Sequence, residues 1–175
     1  VMGLHISQGG EVGTASYRSL GFMASAQRFD VQIQGKQTHG ARPWAGVDPI
    51  VVGAQIINSL QTIVSRQIDI TQHPAVVTVG SFTAGVRNNI VPETATLSGT
   101  IRTFDAGVRS SIHKKIRAIA EQTATGMGAV ATVEIDPGVP VTFNDPLLTR
   151  QMVPTLERIY GEQSVFELSL IHISE

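Results

Sequence analysis

Hydrophobic and polar positions alternate strictly in FDVQIQG: Phe29, Val31 and Ile33 take one face, Asp30, Gln32 and Gln34 the other. A period of two predicts a half-buried strand. From about Val47 the period changes. Ile50, Ala54, Ile57 and Val64 recur at multiples of three and four, which predicts a helix with one apolar stripe, the face such a helix turns to a core. Asp48 and Pro49 suit its first turn, where a carboxylate favours the helix dipole and a missing N–H costs little.

Two β-branched strands follow. They are PAVVTVGSFTAG (Pro74–Gly85) and ETATLSGTIRTF (Glu93–Phe104), the second with Leu97 and Ile101 toward the core and Thr96, Thr100 and Arg102 away from it. Between them VRNNIVP must turn, and Pro92 holds the residue before it extended. Asp105 can cap a second helix, in which Val108, Ile112, Ile116, Ile119 and Ala120 keep helical spacing until Gly126 or Gly128 ends it. AVATVEID (Ala129–Asp136) alternates again as a fourth strand.

The order from Gln27 to Pro137 is therefore β-α-β-β-α-β. It predicts an α+β fold of the ferredoxin-like kind: one four-stranded antiparallel sheet with two helices on one face. The polar residues on the other face suit an antiparallel sheet half-open to solvent. Residues 21–137 are expected to form an inserted domain, with 1–20 and 138–167 belonging to a second, incomplete one. The chain opens on Val in mid-phrase, without an initiator Met. It closes in LSLIHISE (Leu168–Glu175), which follows no turn, cap or periodic element and reads as the translation of a cloning or sequencing adapter. On that reading 168–175 is non-native and His172 has no biological role; an ordinary C-terminal strand is the alternative. The chain is expected to be a piece of a longer protein.

Composition narrows the function classes. With 42% hydrophobic and 15% charged residues, the chain can bury a core. A net charge of −1 with no Lys/Arg block argues against a nucleic-acid footprint. An RNA-binding sheet needs exposed strand aromatics, and only Phe29, Phe82 and Phe104 lie on strands. No apolar run approaches the ~20 residues needed to cross a bilayer, and VMGLHISQGG lacks the regions of a signal peptide. Zero cysteines exclude disulfides and cysteine metal sites within the chain and fit a cytoplasmic protein.

Four residues could carry chemistry. His5, at the end of the strand-like MGLHIS, could present a neutral nitrogen to a divalent metal, or could be a hydrogen-bonded core histidine. His39 lies in GKQTHGARPW, where Gly35, Gly40 and Pro43 shape the loop. It is either a positioned functional ring or an exposed turn residue. Asn89, in the connection between the two middle strands, is either functional or a turn asparagine tolerating left-handed backbone, a role Asn88 could also fill. Arg102 is either a solvated charge or a fork for a carboxylate. His73 and His113 read as a turn residue and a surface residue.

Five phrases, GLHIS, GFMASAQRFDVQIQGKQTHGARPWAGVDPI, AVVTVGSFTAG, NNIVPETATLSGTIRTF and PVTFND, follow one another from Gly3 to Asp145. Together they resemble peptidase family M20, in its branch of hippurate hydrolases and N-acyl-amino-acid amidohydrolases. The resemblance implies a two-metal catalytic domain interrupted by a ferredoxin-like lid that forms homodimers. It implies hydrolysis of the amide joining an acyl group to an amino acid. In such sites two divalent ions, about 3.5–4 Å apart, activate a bridging water. Residue by residue, His5 matches a metal ligand. His39 matches the lid histidine that reaches the partner's active site and stabilises the oxyanion. Asn89 matches a substrate-contacting asparagine, and Arg102 an arginine that binds the substrate carboxylate in some branches.

The family's Cys-Gly-His-Asp-x-His phrase, its Glu-Glu pair and its late C-terminal histidine ligand are absent from this chain. The chain is therefore expected not to hydrolyse amides as it stands, and the ion could be zinc, manganese, cobalt or nickel. The competing expectation is a stand-alone ferredoxin-like dimerisation or small-molecule-binding module with no use for His5.

Overall fold

A computed structural model describes residues 2–169, so His172, with the rest of 170–175, lies outside the described residues. In chain order these residues form β1 (Ala15–Tyr17), β2 (Leu20–Met23), β3 (Ser25–Gln34), β4 (Thr38–His39), α1 (Pro49–Gln67), β5 (Ala75–Ala84) and β6 (Ile90–Val91). There follow β7 (Thr94–Thr103), α2 (Ala106–Gly126), β8 (Val130–Ile135), β9 (Thr142–Asn144), α3 (Pro146–Tyr160) and β10 (Val165–Glu167). They divide into two compact units, one of Ser25–Pro140 and one joining residues 2–24 to 141–169.

The Ser25–Pro140 unit holds a four-stranded sheet in the order β5-β7-β3-β8, with every neighbouring pair antiparallel. The alternation at Phe29, Val31 and Ile33 is realised in full: all three are buried, as are Leu97, Ile101, Ala131 and Val133 on the neighbouring strands. Both helices cover that one face and share a single core with it, α1 through Val52, Ile56, Leu60 and Ile63, α2 through Ile112, Ile116, Ala120 and Ala124. Each large apolar side chain buried in this way contributes about 1.5–3 kcal/mol. The caps are as expected. The Asp48 carboxylate accepts from Ile50 N at 2.8 Å and that of Asp105 from Val108 N at 2.7 Å.

Two expectations change here. The apolar stripe Ile50, Ala54, Ile57, Val64 is not the main core face: Ile50 and Ala54 are exposed, Val64 is half-buried, and Ile57 packs against the edge of the core. Helix α1 carries two adjacent apolar stripes and buries the other one, about 100° round the helix. Gly53 sets that rotation, because the Phe82 ring of β5 occupies the space a Cβ would take, with Cζ at 2.5 Å. The unit begins at Ser25 rather than 21 and ends at Pro140 rather than 137. Ala26 and Val139 exchange backbone hydrogen bonds of 3.1 and 2.9 Å, which holds residues 138–140 to this unit.

In the other unit β1 pairs with β10 in parallel and β2 with β9 antiparallel. Helix α3, capped by Asp145 onto Leu148 N at 2.8 Å, lies between β9 and β10 in sequence. The tail from Leu168 thus does follow regular structure, contrary to expectation: Leu168 N donates to Tyr17 O at 2.8 Å, directly after β10.

Candidate functional site

The loop from Lys36 to Val47 is closed at its base, where these two residues exchange backbone hydrogen bonds of 2.9 and 3.0 Å. Inside it Arg42 N donates to His39 O at 2.8 Å and Thr38 Oγ1 to Arg42 O at 3.2 Å. Strand β4 then pairs with β6, Thr38 opposite Val91 and His39 opposite Ile90. Gly40 N donates to Asn89 O at 2.8 Å. A short ladder and one further hydrogen bond thus bring the turns bearing His39 and Asn89 together, at one end of the sheet.

The His39 ring is exposed, and Ala41 N donates to its Nδ1 at 3.0 Å. An N–H aimed at Nδ1 makes that nitrogen the acceptor, so in the neutral ring the proton sits on Nε2. The loop therefore holds an imidazole with Nε2–H as its outward-available donor. Asn89 is exposed as well. Among the described residues Leu20 is the only non-glycine with positive φ, so neither Asn88 nor Asn89 is there to supply left-handed backbone.

Arg102 stands elsewhere. It lies opposite Ala26 and Val76, at the far end of β7 from Thr94, which pairs with Gln34 just before the His39 loop. Eight residues of strand at ~3.4 Å each separate the two ends by about 27 Å. Arg102 is exposed on the polar face. One copy of this unit brings His39 and Asn89 together and leaves Arg102 apart.

His5 was expected at a strand end, and no strand forms there. Leu4 and Ile6 are 88% and 91% exposed, so the apolar alternation around it has no second layer to pack against. Its Nδ1 lies 2.8 Å from Ile6 O. A proton donated there leaves the Nε2 lone pair to a ligand, the usual state of a metal-binding histidine. One imidazole does not hold a divalent ion, and among the described residues no group of three or more His, Cys, Asp or Glu is placed to do so.

His73 Nδ1 lies 3.9 Å from Asp105 Oδ2. His113 is partly buried rather than a surface residue; burial, then the charges of Arg109 and Arg117, lower its pKa below 6.5. Sequence reasoning missed one polar cluster. Arg28 Nη2 donates to Asp30 Oδ1 at 2.8 Å, and Ser98 Oγ donates to the same oxygen. The hydrogen bond from Arg28, then that from Ser98, hold the Asp30 carboxyl below its ordinary value. The signal was available, since residues two apart on a strand share a face.

Residues 24–127 match the model of the peptidase dimerisation domain, M20_dimer. The chain is 39% identical over 149 residues to the N-acetyl-L-cysteine deacetylase of Bacillus subtilis (strain 168), covering 85% of this chain and 36% of that protein. A crystal structure from methicillin resistant Staphylococcus aureus superposes with a TM-score of 0.80 at 27% identity, over 94% of this chain and 43% of that one. A dinuclear metal binding peptidase of the M20 family from Bacillus subtilis superposes with a TM-score of 0.68 at 28% identity, over 94% and 40%. The chain therefore spans well under half the length of the proteins it matches.

Proposed function

This chain belongs to the peptidase M20 family, and on that premise we propose that the whole protein is a metal-dependent amidohydrolase acting on N-acyl amino acids of the hippurate kind. The observation that carries the reading is the His39 ring, held by Ala41 N with its proton on Nε2 and tied to the Asn89 turn. A fixed N–H donor suits the oxyanion that forms when water attacks an amide carbonyl. Asn89 adds an amide beside it, to contact the substrate. The relative named for N-acetyl-L-cysteine deacetylation supports an acylated amino acid as the substrate class.

In this reading His5 is one ligand of a two-metal centre whose other ligands lie outside the chain, and the ions, when bound, supply an activated water. Arg102 holds the substrate carboxylate through its guanidinium fork. Because Arg102 and His39 occupy opposite ends of one sheet, a single pocket takes them from different copies of the lid. His39 acts in the partner's site. The chain alone has no general base and is inactive.

Mixing two inactive variants of the whole protein tests this. His5→Ala removes a ligand from its own subunit, and His39→Ala removes the donor given to the partner. Mixed dimers contain one site with both residues intact if His39 acts across the interface. Recovery of N-acetyl or N-benzoyl amino acid hydrolysis on mixing, lost again on adding a chelator, is expected. No recovery, with mixed dimers demonstrated by a different affinity tag on each variant, places His39 in its own subunit's site or in none.

A further inference from the structure

We propose that the unit of residues 2–24 and 141–169 carries a binding site for a free α-amino acid with an apolar side chain, held as the zwitterion between Arg150 and Glu167.

The site is a cleft of about 400 Å³ between α3 and the β1–β10 pair, at the small end of the ~300–1,000 Å³ that small-molecule clefts occupy. Its walls follow from local structure. Pro146, Arg150, Val153 and Pro154 stand at i, i+4, i+7 and i+8 of α3, so they share one face of the helix. On the other wall Tyr17 lies opposite Glu167 in the parallel ladder, which puts both side chains on one side of it, and Ser19 follows β1.

The two charges in this cleft are uncommitted. Arg150 and Glu167 are exposed, and among the described residues neither is ion-paired, with the other or with any third group. Opposite charges that line one cavity without closing on each other leave room for a ligand that bears both. An anion alone would face the Glu167 carboxylate, and a cation alone the Arg150 guanidinium. A zwitterion answers each with its opposite.

The remaining groups fit the same ligand. The Arg150 guanidinium offers a fork to the carboxylate, and Tyr17 and Ser19 add hydroxyl donors. Burial, then the charges of Glu167 and Glu157, raise the pKa of the Tyr17 phenol above its ordinary 10.0, so it keeps its proton. The ammonium meets the Glu167 carboxylate. Pro154 supplies a second acceptor: proline has no N–H, so the Arg150 carbonyl four residues before it lacks its helical donor. Val153 and the two proline rings form the apolar part of the lining and receive an aliphatic or aromatic side chain. An N-acyl amino acid has lost the ammonium, so the cleft separates the free amino acid from its acylated form.

Nitrogen-15 HSQC titration of the 175-residue chain with L-leucine and with L-phenylalanine tests this. We expect saturable shifts of the Tyr17, Ser19, Arg150 and Val153 amides for at least one of the two. The N-acetyl derivative of that amino acid, without the ammonium, and its carboxamide, without the carboxylate, should each bind at least about tenfold more weakly, the effect of losing one charged hydrogen bond. Arg150→Gln and Glu167→Gln should each abolish the shifts while the remaining amide spectrum stays in place, which separates loss of binding from loss of fold. Saturation by neither amino acid overturns the proposal. So does an N-acetyl derivative that binds as tightly as the free amino acid, or binding that either variant retains. The amidohydrolase reading, which rests on His39, stands or falls apart from these outcomes.

Discussion

The amide of Gly40 donates to the carbonyl of Asn89 at 2.8 Å, and beside it His39 pairs with Ile90 across a two-residue ladder. Two turns that are fifty residues apart in the chain are thereby held as one rigid edge. A Cβ on Gly40 would stand 3.0 Å from Asn89 O and 3.1 Å from its carbonyl carbon, tighter than ordinary contact.

Gly40→Val should therefore push the His39 and Asn89 turns apart by a fraction of an ångström to an ångström. A displacement of that size costs on the order of 10²-fold in rate when the moved group contacts the reacting atoms. In the whole protein kcat/KM for an N-acyl amino acid should fall by about that factor, while Tm, set by a core far from the loop, changes little. Full activity with a shifted loop in a crystal structure would contradict the role given to this edge.

The hydrogen bond from Ala41 N to His39 Nδ1 predicts the tautomer. Nitrogen-15 NMR of the 175-residue chain, at a pH where the ring is neutral, should show the proton on Nε2 and a bare Nδ1. The opposite tautomer would mean that the loop does not prepare a donor.

Gly53 sets two effects against each other. In a helix interior alanine is favoured over glycine by ~1 kcal/mol. Here the added methyl meets Phe82 Cε2 at 2.6 Å and Ile33 Cδ1 at 3.2 Å, and overpacking of this kind costs about 1–3 kcal/mol. Gly53→Ala should thus lower stability in urea unfolding. Combined with Phe82→Leu, which vacates the contested space, it should cost less than it does alone. A double-mutant cycle showing additivity would mean that the ring does not set the rotation of α1.

Asp30 predicts a pH dependence. Its folded pKa lies below the ordinary 3.8 because Arg28 and then Ser98 donate to the ionised carboxyl. A depressed folded value adds stability that is present above the unfolded value and lost as pH falls through the folded one. Asp30→Asn should therefore be less stable than wild type near neutrality, and the gap should close in strong acid, below pH 3.8. The pair is substantially exposed, so the difference should stay under ~1 kcal/mol and shrink with salt. A gap that persists in strong acid would assign it to packing instead.

The comparison between pattern and structure is clearest in α1. Asp48, Pro49 and the helical period were legible and place the helix correctly, since capping and periodicity are local properties. Its rotation was not, because two stripes of similar hydrophobicity compete and Phe82, distant in sequence, decides between them. The same holds at the site. His39 stood out within its own loop, but its partnership with Asn89, and the distance of Arg102 from both, follow from strand pairing. The strand expected around His5 failed for a related reason: alternation makes a strand only where a layer exists to receive its apolar side.

By itself the sequence determined the βαββαβ order, the strand faces of Phe29, Val31, Ile33, Leu97 and Ile101, both helix caps, and the family resemblance carried by ordered phrases. These depend on neighbours within a few residues, where steric and hydrogen-bond preferences act directly. Only the tertiary structure decided which stripe of α1 is buried, and that His39 and Asn89 share one end of the sheet while Arg102 holds the other. Those outcomes turn on packing and pairing between residues distant in the chain, and a hydrophobic pattern says that a surface must be covered without saying by what.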